Sequence, residues 1–324
     1  MAWRDALRRR IRGAIRQRGF DVVRYPRPAT FRPVPGPVAN PTFEPEAQPP
    51  EQEPVVPLGE RDVAIGGTTY RIASDDVYLR DLGPEFEPPT VRLFDTLTLK
   101  EHVVLDIGAN IGCTTILFGS RSRQVVGFEP SPSTFAFLTQ NLGSSGLGNV
   151  ELRNYALGDE SSEAELAFAP DNRSGGFVTN QTRGATGLVR EQIVVKRLDD
   201  IVPSLGVPSV DLVKLDVEGF ETRVIRGGEK TIREAQPVVV LELNHWCLNA
   251  LQRISVPDFF DYLRLIFPIL VAVEGDQHAN LHDNDESYTV MYRHILHQEF
   301  AIIVAAFRPE QLARFHASYR PLNG

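Results

Sequence analysis

From about Val103 onward the chain alternates short apolar runs with segments of helical periodicity. The runs 103–107, 124–128, 149–155, 210–216 and 237–243 have the length and β-branched content of buried strands. The stretches 133–142, 222–235 and 257–266 place apolar residues at helical spacing, and Pro130 and Pro132 set the start of the first. Two further strands are expected at 163–168 and 192–196. They flank a loop over 171–187 that is rich in Gly, Ser, Asn and Thr. A loop of that length without secondary structure commonly serves as a lid. The C-terminal region supplies the closing strands. Strands that alternate with helices in this way imply an α/β fold, a three-layer sandwich around a mainly parallel sheet.

The N-terminal part follows neither pattern. Trp3, Ala6, Leu7, Ile11, Ala14 and Ile15 recur at helical spacing with Arg8, Arg9, Arg12 and Arg16 between them, so residues 1–25 read as a basic amphipathic helix. Three destinations are open to it: an anionic membrane surface, the acidic body, or solvent. Residues 26–57 hold eleven of the 24 prolines together with Glu44, Glu46, Glu51 and Glu53, a composition that cannot bury a core and reads as a flexible linker. The folded domain is therefore expected over 58–324.

Composition narrows the functional classes. The formal net charge is −8, although ten arginines fall within residues 1–33. An acidic body repels phosphates, which argues against a nucleic-acid partner. No apolar run approaches the ~20 residues of a membrane span. The start Met-Ala-Trp-Arg lacks the apolar stretch of a secretory leader, so a cytoplasmic location is expected, with peripheral contact at the inner membrane face through residues 1–25 as the variant. The two cysteines, Cys113 and Cys247, have no metal-ligand spacing and are expected as reduced thiols.

The first candidate site is Val103-Val-Leu-Asp-Ile-Gly-Ala-Asn-Ile-Gly112, a strand that breaks at Gly108 and is expected to open a helix near Ile111. A pyrophosphate would call for three glycines and no carboxylate, because helix N-termini attract anions. Here Asn110 replaces the middle glycine and Asp106 precedes the turn. That acid suits a cationic ligand without phosphates, such as S-adenosylmethionine, and disfavours NAD. Glu129 closes the next strand about twenty residues after Gly108, the spacing at which a carboxylate accepts ribose hydroxyls.

The second candidate site is Val213-Lys-Leu-Asp-Val-Glu-Gly219. A lysine inside an apolar strand needs a charged partner. Strand alternation turns Lys214 and Asp216 to one face, and Asp216 sits at the carboxyl end, where α/β sheets bind ligands. Glu218 lies in the exit turn, Glu242 ends the following strand, and His245 is a further candidate base near neutral pH. Asp216, Glu218 and Glu242 could together hold a divalent ion, the less favoured alternative to carboxylate-only chemistry. His278, His282 and Asp283 lack a metal-binding spacing and read as loop residues.

Taken together, Asp106-Ile-Gly-Ala-Asn-Ile-Gly112, Phe128-Glu-Pro-Ser-Pro132, Ala156-Leu-Gly-Asp159, Lys214-Leu-Asp-Val-Glu-Gly-Phe-Glu221 and the Glu242 strand resemble the FkbM-type family of S-adenosylmethionine-dependent methyltransferases, over about residues 87–274. The resemblance implies a Rossmann-like methyltransferase fold and O-methylation of a hydroxyl on a sugar, glycan or secondary metabolite. It implies a cofactor pocket of Asp106, Gly108, Asn110, Gly112, Glu129 and Pro130, with Ala156 near the adenine and Glu87 as a lid contact. It places Asp216 and Glu218 at the active-site edge, with Lys214 and His245 as further catalytic candidates and Glu242 beside the substrate. The rival from another class is a non-catalytic cofactor-binding module that recruits enzymes through the basic arm.

Overall fold

The computed structural model describes residues 59–178 and 187–322. The expected helix over 1–25, the linker over 26–57 and the boundary at residue 58 lie outside the described residues.

A hairpin of β1 (Glu60–Ile65) and β2 (Thr68–Ala73) and a helix, Pro88–Leu97, precede the main sheet. The first expected strand is β3 (Val103–Ile107), followed by helix Cys113–Arg121 and β4 (Gln124–Phe128). Helix Pro132–Ser145 leads to β5 (Val150–Arg153). A smaller sheet follows, from β6 (Ala156–Leu157), β7 (Ser162–Ala169), β8 (Asn172–Val178) and β9 (Val189–Lys196). The chain then returns to the main sheet with β10 (Leu212–Leu215) and β11 (Val238–Glu242). It closes with β12 (Ile269–Glu274), β13 (Gln277–Asn280), β14 (Ile302–Ala306) and β15 (Arg320–Pro321).

Among the described residues, nine strands form the main sheet in the order β15-β13-β12-β14-β11-β10-β3-β4-β5. The five strands from β11 to β5 are parallel, and β14 runs antiparallel to both its neighbours. Strand alternation sends Leu105, Ile107, Val213, Leu215, Val239 and Leu241 into one core with helix Val256–Arg264. Val104, Leu212, Val238 and Val240 face a second core with helices Pro88–Leu97 and Cys113–Arg121. The sheet is thus covered on both faces, which makes the expected three layers. From β3 the chain winds outward through β4 and β5, then crosses back to β10 and β11. The order therefore reverses between β3 and β10, and open α/β sheets bind ligands outside the strand ends at such a switch point. Among the described residues no helix is long and apolar enough to cross a membrane.

Three local expectations need correction. Residues 172–178 of the loop expected over 171–187 are a strand: β8 pairs antiparallel with β7, Leu166 opposite Val178. The run Asn172-Arg-Ser-Gly-Gly176 carries no apolar alternation and so hides a strand that pairs along one edge with β7; residues 179–186 lie outside the described part. The helix expected at 222–235 is two, Glu221–Gly227 and Glu229–Ala235. A Cβ on Gly227 would sit 1.8 Å from the Gly158 carbonyl oxygen, so the chain must be bare where it passes β6 and bends there. The helix expected from Ile111 begins at Cys113, because Asn110 and Gly112 both have positive φ, 49° and 100°.

Candidate functional site

The carboxyl ends of β3, β4, β10 and β11 open into a cleft of about 360 Å³, the scale of a small-molecule site. The turn after β3 forms its floor. The Gly108 and Ala109 amides both donate to the Phe128 carbonyl, at 3.0 and 2.9 Å, which ties the β3 turn to the end of β4. Gly108 is constrained from the other side as well: a Cβ there would lie 1.8 Å from the Asp216 carbonyl oxygen. Only glycine lets β3 and β10 close at the switch point. Asn110 takes a left-handed conformation, which asparagine tolerates better than most side chains.

Glu129 organises one end of the cleft. It is buried, and its two carboxylate oxygens accept from the Asn110 amide at 3.0 Å and the Ser131 amide at 2.9 Å. Burial pushes its carboxyl up to about 7, against the downward pull of those two amides. Asn110 Oδ1 is buried without a hydrogen-bond partner. Pro130, Gly112 and Ala156 line the same end, with Phe128 and Tyr155 adding aromatic surface. Glu87 stands at the rim, exposed, and accepts from the Thr90 hydroxyl at 2.9 Å. The sequence reading missed Tyr78, Phe86 and Arg173, which also line the cleft. Their sole signal was position: Phe86 neighbours Glu87, and Arg173 lies in the segment taken for a loop.

Asp106 occupies a different place from the one expected. It is 0% exposed and does not line the cleft. Its Oδ2 accepts from the hydroxyls of Thr114 and Thr115 at 2.8 and 2.6 Å, and its Oδ1 lies 3.6 Å from Lys214 Nζ. The sheet register explains this, because Asp106 and Lys214 are direct partners across β3 and β10. In this structure Asp106 thus lies behind the turn, enclosed by Thr114, Thr115 and Lys214, with Oδ1 making no hydrogen bond.

Lys214 joins the two halves of the cleft. Its Nζ donates to the Gly108 carbonyl at 2.6 Å and lies 3.4 Å from Asp216 Oδ2. Burial would drive the ammonium toward neutrality, but Asp216 and Asp106, with help from Glu242, outweigh it and raise its proton affinity. Asp216 presents a carboxylate whose side chain is 45% exposed. Glu218, held at φ 51°, accepts from Asn244 Nδ2 at 3.0 Å and from Cys247 Sγ at 3.3 Å. Glu221, the buried first residue of its helix, accepts from the Val217 and Gly219 amides and so fixes the turn that carries Glu218.

Asp216, Glu218 and Glu242 each place an oxygen within 4.8 Å of the other two. Burial first, and then the Asp216 charge, hold the Glu218 and Glu242 carboxyls above the usual range, and Glu242 Oε2 is buried without a partner. His245 does not join them. It starts the short helix His245–Cys247, packs edge-on against His294 at 5.0 Å and is absent from the cleft lining. The chain turns into that helix directly after Asn244, which carries the ring away from the strand end. His282 bonds the Phe267 carbonyl and Asp283 caps helix Asn284–His297, both structural roles. Cys113 and Cys247 are both free thiols and buried.

A doubly wound sheet with a carboxylate-lined cleft at its switch point is the architecture of the Rossmann-like methyltransferases. The family described as "Methyltransferase FkbM domain" matches residues 106–274, just over half of the sequence, and the chain belongs to it. Hexuronic acid methyltransferase AglP of Haloferax volcanii is 30% identical over 164 residues, covering 50% of this chain and 64% of that protein. The 2-O-methyltransferase NoeI of Sinorhizobium fredii is 27% identical over 180 residues, 49% of this chain and 72% of that one. The 31-O-demethyl-FK506 methyltransferase FkbM of Streptomyces tacrolimicus is 30% identical over 192 residues, covering 49% and 67%. The chain thus spans 64% of the length of the Haloferax relative.

Proposed function

We propose that this chain is an S-adenosylmethionine-dependent O-methyltransferase acting on a hydroxyl of a sugar, glycan or secondary metabolite. The observation that carries this reading is the pairing of two unlike acid sites across one cleft: Glu129, braced by backbone amides, and the crowded trio of Asp216, Glu218 and Glu242. The names of the relatives support it, since each is a methyltransferase and two are named for transfer to oxygen.

The residues fit the cofactor. Glu129 has lone pairs left for ribose hydroxyls after accepting from two amides, and Asn110 Oδ1 needs a donor that a ligand would supply. Ala156 and Tyr155 offer apolar surface for an adenine, and Glu87 stands at the rim to contact a bound ligand. Bound S-adenosylmethionine would supply a methyl group activated by its sulfonium. The protein's task is then alignment and proton removal. Alignment alone is worth up to roughly 7–11 kcal/mol in well-oriented reactions. Asp216 is the exposed carboxylate of the trio and takes up the acceptor's hydroxyl proton, while Lys214 fixes its orientation from below. Glu218 and Glu242 hold the acceptor's other hydroxyls. A divalent ion on the same three oxygens is the alternative way to activate the hydroxyl.

The test is incubation of the full chain with methyl-labelled S-adenosylmethionine and an extract of glycans and small metabolites, with mass spectrometry of what gains a methyl group. Label on oxygen supports the reading. Cofactor binding without transfer to any acceptor supports the non-catalytic module instead. Transfer that survives a chelator rules out the metal.

A further inference from the structure

A sulfonium carries three groups, and the cleft has three walls to receive them. Glu129, Pro130 and Ala156 form the adenosine wall of the reading above. Asp216, Glu218 and Glu242 form the second, where the methyl group must meet its acceptor. The third is built by the segment that precedes the main sheet, with Tyr78, Phe86, Glu87, Thr90 and Phe94. It lies outside the residues 106–274 that match the family. With the adenosyl and methyl groups placed, the aminocarboxypropyl tail is the group left for this wall.

Tyr78 sits in the short helix Val77–Asp81 and packs against the core cluster that contains Phe86, Ile111 and Cys113. Among the described residues its hydroxyl makes no hydrogen bond. Burial, with Cys113, Glu87 and Asp216 nearby, raises its proton affinity, so the phenol stays a neutral donor. The helix itself is held from behind. The Val77 amide donates to the Asp171 carbonyl at 2.8 Å, and the buried Asp76 accepts from the Arg173 amide at 3.0 Å. The Arg173 guanidinium grips both oxygens of Asp75, at 2.7 and 2.8 Å. The β7–β8 hairpin therefore fixes the helix that carries Tyr78, and none of these contacts uses the phenol.

Glu87 supplies the complementary group. It is exposed at the rim, and the Thr90 hydroxyl occupies only its Oε2. The cofactor's tail is a zwitterion, with a carboxylate that needs a donor and an ammonium that needs an acceptor. A protonated phenol and a carboxylate side chain on one wall match both, and a zwitterion brings no net charge to them.

We infer that the third wall binds the amino-acid tail of the cofactor, the Tyr78 hydroxyl donating to its carboxylate and Glu87 accepting from its ammonium. This rests on the methyltransferase reading above and extends it to residues that the family match does not reach.

Calorimetry of the full chain with two probes separates the walls. S-adenosylhomocysteine keeps the tail; 5′-methylthioadenosine keeps the adenosine and the sulfur and lacks the tail. Tyr78→Phe should weaken S-adenosylhomocysteine by about tenfold or more, the loss expected with a hydrogen bond to a charged group, and leave 5′-methylthioadenosine within about twofold. Glu87→Gln should show the same selectivity with a smaller loss, about threefold, because its carboxylate is exposed. Unchanged affinity for S-adenosylhomocysteine in either variant overturns the inference. So does an equal loss for both probes, which would make the residue a support of the whole cleft. These outcomes leave the methyltransferase reading standing. A wild-type chain that does not bind S-adenosylhomocysteine overturns that reading, and this inference with it.

Discussion

The two ends of the cleft are built on opposite principles. At the Glu129 end every carboxylate oxygen is answered by a backbone amide, and those amides belong to the turns that follow β3 and β4. The geometry there is set by the main chain, with Asn110 Oδ1 left buried without a donor. At the Asp216 end three carboxylates crowd together, one buried oxygen has no partner, and burial and mutual repulsion raise the proton affinity of Glu218 and Glu242. The first end is suited to hold; the second crowds carboxyls whose proton affinity is raised, which is what a site that moves a proton needs. Lys214 and Gly108 keep the ends in register, because the Lys214 ammonium reaches both the β3 turn and Asp216.

The sharpest way to break this comparison is to remove charge from the second end alone. Asp216→Asn keeps the shape and should lower methyl transfer by about 10²–10⁴-fold, the usual worth of a general base. Cofactor affinity measured by calorimetry should change by less than about threefold, under 1 kcal/mol. Loss of cofactor binding with normal turnover at saturating cofactor would move Asp216 to the binding end. The converse substitution, Glu129→Ala, should weaken S-adenosylmethionine binding by roughly 1–3 kcal/mol, because the Asn110 and Ser131 amides and the ribose hydroxyls lose their acceptor. Unchanged affinity would take Glu129 out of the cofactor site.

The smallest effect concerns stability. Glu242 binds its proton more tightly in the folded protein than in the unfolded chain, through burial and then the charges of Asp216 and Glu218. Between the ordinary glutamate value of ~4.3 and the raised folded value, the folded state therefore carries protons that the unfolded chain has released, and stability falls as pH rises through that window. Glu242→Gln removes this term. It should leave stability near pH 4 almost unchanged and raise it at pH 8 by roughly 1 kcal/mol or more. Urea denaturation at the two pH values measures the difference; equal slopes with pH in both proteins would show that Glu242 is not held in its protonated form.

How much of this was legible in the sequence follows the same division. The strand ends were readable because a buried parallel strand is a run of apolar residues, and the acids that stop it stand out: Asp106, Glu129, Asp216 and Glu242 all fall at or beside such stops. The ion pair of Lys214 was foreseeable from the cost of burying an ammonium, and its partners Asp106 and Asp216 are what the sheet register dictates. Which way a carboxylate faces was harder to read. Asp106 looked like a ligand contact, and in the structure two threonine hydroxyls in the first turn of the following helix and a lysine on the neighbouring strand enclose it. His245 failed for a similar reason, since a three-residue helix after Asn244 turns it toward His294. β8 was invisible because its Gly-Gly and polar residues carry no apolar alternation. Its pairing is decided by β7, and its Arg173 is pinned by Asp75, nearly a hundred residues earlier in the chain.

The central claim is that the first end is shaped for S-adenosylmethionine, a ligand with a ribose and no phosphate. Calorimetric titration of the full chain with S-adenosylmethionine and, separately, with NAD tests it most directly. Saturable one-to-one binding of S-adenosylmethionine, with NAD at least about tenfold weaker, is the result expected of a turn in which Asn110 replaces a glycine and no phosphate-binding loop is formed. Saturable binding of NAD with none of S-adenosylmethionine would contradict it.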